Sequence, residues 1–172
     1  GARSGLSEPP PVFVHDLGVE GSLVALLRDA MSPNLVQTLG GAPALIHGGP
    51  FANIAHGCNS VIATNAAREL ADVVVTVAGF GADLGAEKFT DIASVAGDFA
   101  ADVAVIVVTA RSLKYNGGVA RGELNEENVE AVRSGLANVE RHCSSLRRLG
   151  MQPIVAVNKF ITETDGGLAA IK

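Results

Sequence analysis

The sequence is poor in most of the residues that announce a chemistry. It has no tryptophan, one tyrosine and two cysteines among 172 residues, and only 18% of its side chains are charged. The cysteines, Cys58 and Cys143, stand far apart and in no metal-ligand spacing, which reads as two reduced thiols in a cytoplasmic setting. Basic charge is also short. The formal net charge is −5, so no basic stripe exists to neutralise phosphates and a nucleic-acid partner is not expected. The arginines between Arg141 and Arg148 fall at helical spacing and read as a solvated face. The longest apolar run, Val103 to Val108, is far too short to span a bilayer, and the N-terminus lacks the apolar core of a signal peptide. No membrane partner is expected. Neither a G-x-S-x-G elbow nor a G-x-x-x-x-G-K-[ST] phosphate loop occurs, which leaves hydrolase chemistry without support and removes the usual lysine for nucleotide phosphates.

What is present is abundant small and apolar residue: 48% hydrophobic, with 20 glycines. That composition suits helices packed closely on a sheet in a chain of about one domain. Residues 1–14, with three consecutive prolines and no initiator methionine, read as a flexible lead-in or a cut edge. Residues 15–172 read as a single α/β domain. From Val19 to Met31, Val19, Leu23, Leu26 and Leu27 recur at helical spacing until Pro33. Leu35 to Leu39 and Ala44 to Ile46 read as short strands parted by Gly40-Gly41. Gly48, Gly49 and Pro50 turn the chain into a helix expected from near Asn53, with Ile54, Cys58, Val61, Ile62, Ala66 and Leu70 on one face and Gly57 inside it. Val73 to Val77 has the continuous β-branched pattern of a strand buried on both faces. Asp102 to Thr109 and Pro153 to Val157 read as further strands. Between them, Asn125 is placed to cap a long helix carrying Val129, Val132, Leu136, Val139, Cys143 and Leu146, which Gly150 ends. Strands alternating with helices call for a mostly parallel sheet with helices on both faces.

In such folds ligands sit outside the carboxyl ends of the strands. Four polar or glycine-rich loops fall there: 47–53, 79–88, 111–118 and 158–165. A strand feeding a glycine turn and a helix start aims backbone N–H groups at an anion, although the same pattern also serves as plain connection. Gly79, Gly81 and Gly85 form a second such turn that is not the dinucleotide fingerprint. Asp83, Glu87 and Lys88 are either ligands or an acidic first turn that complements the dipole. Phe51 and Phe80 either flank a planar ligand or pack. His47 and His56, nine positions apart, lack a third metal ligand, so no metal site is assigned. Asn158-Lys159 begins an N-K-x-D-like loop, but position 161 is isoleucine, so the carboxylate that would hold guanine is missing.

Four blocks together carry a specific resemblance: PNLVQTLGGAPALIHGGPFANIAHGCNSVIAT, ADVVVTVAGFGADLGAEKF, TARSLKYNGGV and VAVNKFITETD. They are similar to formate–tetrahydrofolate ligase, also called formyltetrahydrofolate synthetase, from about His15 onward. The resemblance implies a core like part of a P-loop nucleoside triphosphatase and an ATP-dependent ligase of one-carbon metabolism. Formate, ATP and tetrahydrofolate would be its substrates, with Mg2+ and a monovalent cation as cofactors. It implies a cytoplasmic homotetramer, so a homo-oligomer in the full-length protein. Phe51 would belong to the folate side, with Asn53, His56, Asn59 and Ser60 beside it. Phe80 and the turn through Gly81, Asp83, Gly85, Glu87 and Lys88 would approach the reacting groups, and Asn158 and Lys159 would border the nucleotide base. No catalytic base is assigned, because formate is already ionised and orientation is the larger need. The family's phosphate loop is absent here and its chains are several times longer. The chain is therefore expected to be an internal section, inactive alone; the alternative is a non-catalytic α/β remnant that binds a nucleotide, a pterin or a partner subunit.

Overall fold

The computed structural model describes residues 10–49, 57–159 and 165–171. The chain divides into two compact units, Gly1–His47 and Gly48–Lys172. In the first, a 3-10 turn over Val14–Leu17 leads to helix α1 (Glu20–Leu27), then to strands β1 (Asn34–Gln37) and β2 (Pro43–Ile46). The strands pair antiparallel, Asn34 opposite Ile46 and Gln37 opposite Pro43. Their turn is closed by Thr38 N–H on Ala42 O and Gly41 N–H on Thr38 O, both 2.9 Å. Gly41 takes φ +85 there, a conformation that costs glycine little. Among the described residues of this unit none is buried.

The second unit holds the core. Helix α2 (Val61–Leu70) is followed by a helical stretch over 81–97 that alternates π and α geometry: π turns at Gly81–Gly85 and Phe89–Ser94, with α turns α3 (Ala86–Lys88) and α4 (Val95–Gly97). Then come strand β3 (Val103–Val108), helix α5 (Ala110–Asn116), a 3-10 turn at Arg121–Glu123, the long helix α6 (Val129–Arg148), strand β4 (Gln152–Val157) and helix α7 (Asp165–Ala169). β3 and β4 pair parallel, from Val103 opposite Gln152 to Val108 opposite Val157. A parallel pair needs a long crossover, and α5 with α6 supplies it.

Side-chain alternation assigns the two faces of this pair. Ile106 and Val108 join Leu113, Val132, Leu136 and Val139 of the crossover helices in one apolar cluster, where Leu113 is 1% exposed. Glycine lets those helices meet: a Cβ on Gly135 would lie 2.1 Å from Leu113 O, and one on Gly117 would lie 2.0 Å from Ala131 O. A second cluster joins Cys58, Phe89 and Ala93, with Ala78, Phe99 and Ala101 against it.

The expected sheet is therefore realised in part. The fold is α/β with one parallel pair, but β1 and β2 are antiparallel because a tight turn, not a helix, connects them. Val73–Val77 forms no strand; it has no ladder partner among the described residues. The helix expected from Asn53 begins at Val61, since Gly57 has φ +71, which a right-handed helix cannot hold, and Ser60 caps the helix beyond it. Cys58 thus packs from a loop. The long helix is capped by Asn128, whose Oδ1 accepts from Ala131 N at 2.9 Å, because Asn125 is engaged by the Arg111 guanidinium.

Candidate functional site

Each expected site residue on the described part can be followed to the element that positions it. Phe51, Asn53 and His56 lie outside the described residues. Asn59 and Ser60 form the entry to α2. Asn59 Oδ1 accepts from Ser60 N at 3.0 Å, and Ser60 Oγ accepts from Ala63 N at 3.0 Å. The Thr64 hydroxyl donates to Ser60 O at 3.0 Å, so the first turn is closed from both sides. Serine in extended geometry before an apolar helix is a strong N-cap, and here the hydroxyl fills that role.

The turn after Val77 is set by glycine backbone. Gly79 and Gly81 have φ +83 and +72, values that a side chain would strain. Gly85 is buried, and a Cβ there would lie 2.1 Å from Ala78 O and 2.7 Å from Gly79 O. Its smallness is thus required by the chain's own backbone. Asp83 and Glu87 are exposed on the first turns of the 81–97 stretch, Lys88 is half-buried, and Phe80 stands out at 84% exposed. Phe89, on the inner side of the same stretch, holds Ala78 and the Cys58 loop together. That cluster brings the loop before Asn59 and the glycine turn before Phe80 into one neighbourhood, which no local pattern in the sequence announces.

Asn158 and Lys159 leave the carboxyl end of β4, both exposed. Asn158 N–H donates to Val108 O at 2.8 Å, so the exit from β4 lies beside the exit from β3. Thr109 starts α5 at that edge by a reciprocal cap: its Oγ1 accepts from Ser112 N at 2.9 Å, and Ser112 Oγ accepts from Thr109 N at 3.2 Å.

Sequence reasoning passes over Lys114. It is 7% exposed, and its ammonium donates to Glu126 O at 2.8 Å, tying α5 to the approach of α6. A partner twelve residues away, and a backbone atom at that, leaves no local trace. Near it opens a cavity of about 600 Å3 at the far end of α5, bordered by Glu123, Glu126, Glu127 and Glu130. Its acidic rim suits neither phosphate nor formate. Burial raises the Cys58 thiol above its ordinary value, so it stays protonated and serves packing. Among the described residues no group of three or more His, Cys, Asp or Glu side chains converges to hold a metal, and no helix is long and apolar enough to cross a membrane.

These features define an α/β protein in which a parallel pair brings the start of α5 and the exit at Asn158 together at its carboxyl edge. Its relatives are specific. The family model for formate–tetrahydrofolate ligase matches residues 5–172, and the chain belongs to that family. It is 60% identical over 162 residues to the formate–tetrahydrofolate ligase of Corynebacterium diphtheriae, 94% of this chain and 30% of that protein. It is 61% identical over 155 residues to that of Staphylococcus carnosus, covering 90% and 28% respectively. With the Staphylococcus aureus protein the identity is 57% over 162 residues, 94% of this chain and 29% of the relative. The chain thus spans under a third of the length of these curated relatives.

Proposed function

We propose that this chain is one section of an ATP-dependent ligase that forms 10-formyltetrahydrofolate from formate, ATP and tetrahydrofolate. The observation that carries the reading is identity of 57–61%, sustained over 155–162 residues, to proteins named formate–tetrahydrofolate ligase. In the reaction, a formate oxygen attacks the γ-phosphorus of ATP and ADP leaves. The N10 amine of tetrahydrofolate then attacks the formyl carbon of formyl phosphate, inorganic phosphate departs, and N10 gives up its proton. Phosphoryl transfer of this kind depends on positioning and on neutralising charge. Residues 15–172 would contribute one wall of the pocket within a core related to the P-loop nucleoside triphosphatases. The phosphate-binding lysine would come from elsewhere in the polypeptide.

Within that wall, Phe51 is assigned to the folate side, beside Asn53, His56, Asn59 and Ser60. Gly81, with its exposed neighbours Phe80 and Asp83, is assigned to the reacting groups, together with Gly85, Glu87 and Lys88 of the same stretch. Asn158 and Lys159 are assigned to the nucleotide base. Magnesium would neutralise phosphate charge, and the described residues offer no complete ligand set for it. A monovalent cation, a cytoplasmic setting and a homotetramer complete the reading as family expectations.

The test replaces the matched 162 residues of the Corynebacterium diphtheriae relative with this chain and measures 10-formyltetrahydrofolate formation dependent on all three substrates. An active chimera is expected, with no turnover from the 172-residue chain alone. In the chimera, Phe51→Ala should raise the KM for tetrahydrofolate more than that for ATP; an equal rise in both would remove Phe51 from the folate side. An inactive but folded chimera would favour the non-catalytic remnant.

A further inference from the structure

Asn116 and Gly117 form the one Asn-Gly pair in the sequence. The pair closes α5, and packing requires its second member: a Cβ on Gly117 would lie 2.0 Å from Ala131 O of α6, which is backbone and cannot move aside. Asn116, the last residue of α5, is exposed to water. Close helix packing thus sets an exposed amide beside the least hindered backbone nitrogen a chain can offer, because glycine has no side chain to obstruct approach. In an open chain such a pair cyclises. Hydroxide takes the proton of the Gly117 nitrogen, which attacks Asn116 Cγ; the Cγ–Nδ2 bond breaks, and Nδ2 leaves as ammonia with a proton from water. Water then opens the succinimide at one carbonyl or the other, giving aspartate or isoaspartate.

In the folded chain that nitrogen is occupied. Gly117 N–H donates to Leu113 O at 2.7 Å as the final helical bond of α5, while Gly118 N–H on Tyr115 O at 3.1 Å and Val119 N–H on Lys114 O at 3.0 Å fold the chain back over the helix end. Lys114 is held from outside the helix by its bond to Glu126 O. Ring closure needs the Gly117 bond broken and Asn116 turned out of its helical ψ. We propose that Asn116 is a site of spontaneous deamidation guarded by the last turn of α5, so that the reaction runs only through openings in which Gly117 N–H leaves Leu113 O. The product matters because of where the pair sits. Isoaspartate carries the main chain through the former side chain and so adds a backbone carbon immediately before Gly117, where α5 and α6 approach too closely for even a methyl group. Aspartate adds only charge, at the helix end where negative charge is disfavoured. The inference stands apart from the ligase reading, since it needs only the chain and water.

The 172-residue chain is held at mildly alkaline pH, folded and in urea beyond its unfolding midpoint, and the tryptic peptide 115–121 is followed by mass spectrometry, with isoaspartate separated from aspartate by chromatography. Conversion at Asn116 should be at least about tenfold slower folded than unfolded, and this slowing should match the protection of the Gly117 amide in hydrogen exchange to within about threefold, because both need the same N–H to leave the same carbonyl. Equal rates in the two states overturn the guard, and an unfolded chain that keeps its amide overturns the site. Slowing that does not follow Gly117 protection also overturns the proposal, by assigning control to another motion. Asn116→Gln, whose longer side chain closes a ring far more slowly, should abolish conversion in this peptide with the helical signal unchanged; conversion that persists would place the reaction elsewhere. Aged chain enriched in isoaspartate should unfold at lower urea than Asn116→Asp, which carries the same charge on an ordinary backbone. Equal midpoints would overturn the account of backbone lengthening.

Discussion

At Ser60 one hydroxyl is claimed by two roles. It sits in the block assigned to the folate side, yet its Oγ already accepts from Ala63 N and closes the first turn of α2. Ser60→Ala should therefore cost about 1 kcal/mol in denaturant unfolding, and Ser60→Asp should recover most of it, since aspartate caps equally well. A capping role alone leaves substrate KM values in the chimera unmoved by the alanine variant; a shift in KM for tetrahydrofolate would add a contact to ligand. Cys58 offers a test of burial itself. Because its thiol is raised above the ordinary 9.0 by desolvation, the unfolded chain gives up this proton first as pH climbs. The stability held by the neutral thiol is complete below about pH 9 and is lost as pH rises through the folded value. Denaturant midpoints at about pH 7.5 and about pH 10 should fall further for the natural chain than for Cys58→Ala. Equal falls would mean the thiol ionises alike in both states.

The elements of the second unit are held at spacings that only glycine allows. A Cβ at Gly135 meets the Leu113 carbonyl, which is backbone and cannot swing away. Gly135→Ala should push α5 from α6 and cost about 3 kcal/mol, whereas Gly122→Ala, with nothing within 4 Å, should stay within about 0.5 kcal/mol of the natural chain. Urea titrations of the two variants check this, and a small loss at Gly135 would place the helices farther apart. None of this close approach shows as a pattern in the sequence, because it joins positions over twenty residues apart. The legible features are those that local chemistry decides: the β-branched runs at β3 and β4, the apolar spacing of α6, the turn at Gly40-Gly41. The start of α2 is misplaced by sequence because Asn53 and Ser60 are both competent caps, and only the left-handed Gly57 chooses between them. The cap of α6 is misplaced for a similar reason, with Asn125 drawn off by Arg111. Val73–Val77 has a strand's sequence and lacks a strand's partner. For the site, the residues of α2's entry and of the glycine turn are legible as candidates, but the Phe89 cluster that links them, and buried Lys114, depend on long-range packing.

Across the whole molecule, stability should be unevenly shared between the two units. The first has a two-stranded hairpin, one short helix and no buried residue among those described, and an isolated hairpin is marginal in water. The second has Leu113 of α5 and Val132 and Leu146 of the 20-residue helix α6 fully enclosed. Local opening free energies follow this difference, since apolar burial is the dominant favourable term and the first unit has little of it to lose. Amides of β1 and β2 in the isolated chain should therefore exchange near open-chain rates, while those around Val132 and Leu146 exchange only on global unfolding. Added urea should accelerate the second set and leave the first almost unchanged, because little surface remains to be exposed there. Comparable protection in both units would show that the first is stabilised by burial beyond that of its described residues. In the chimera, slowing at Leu35 and Val36 would show that the longer polypeptide covers that unit.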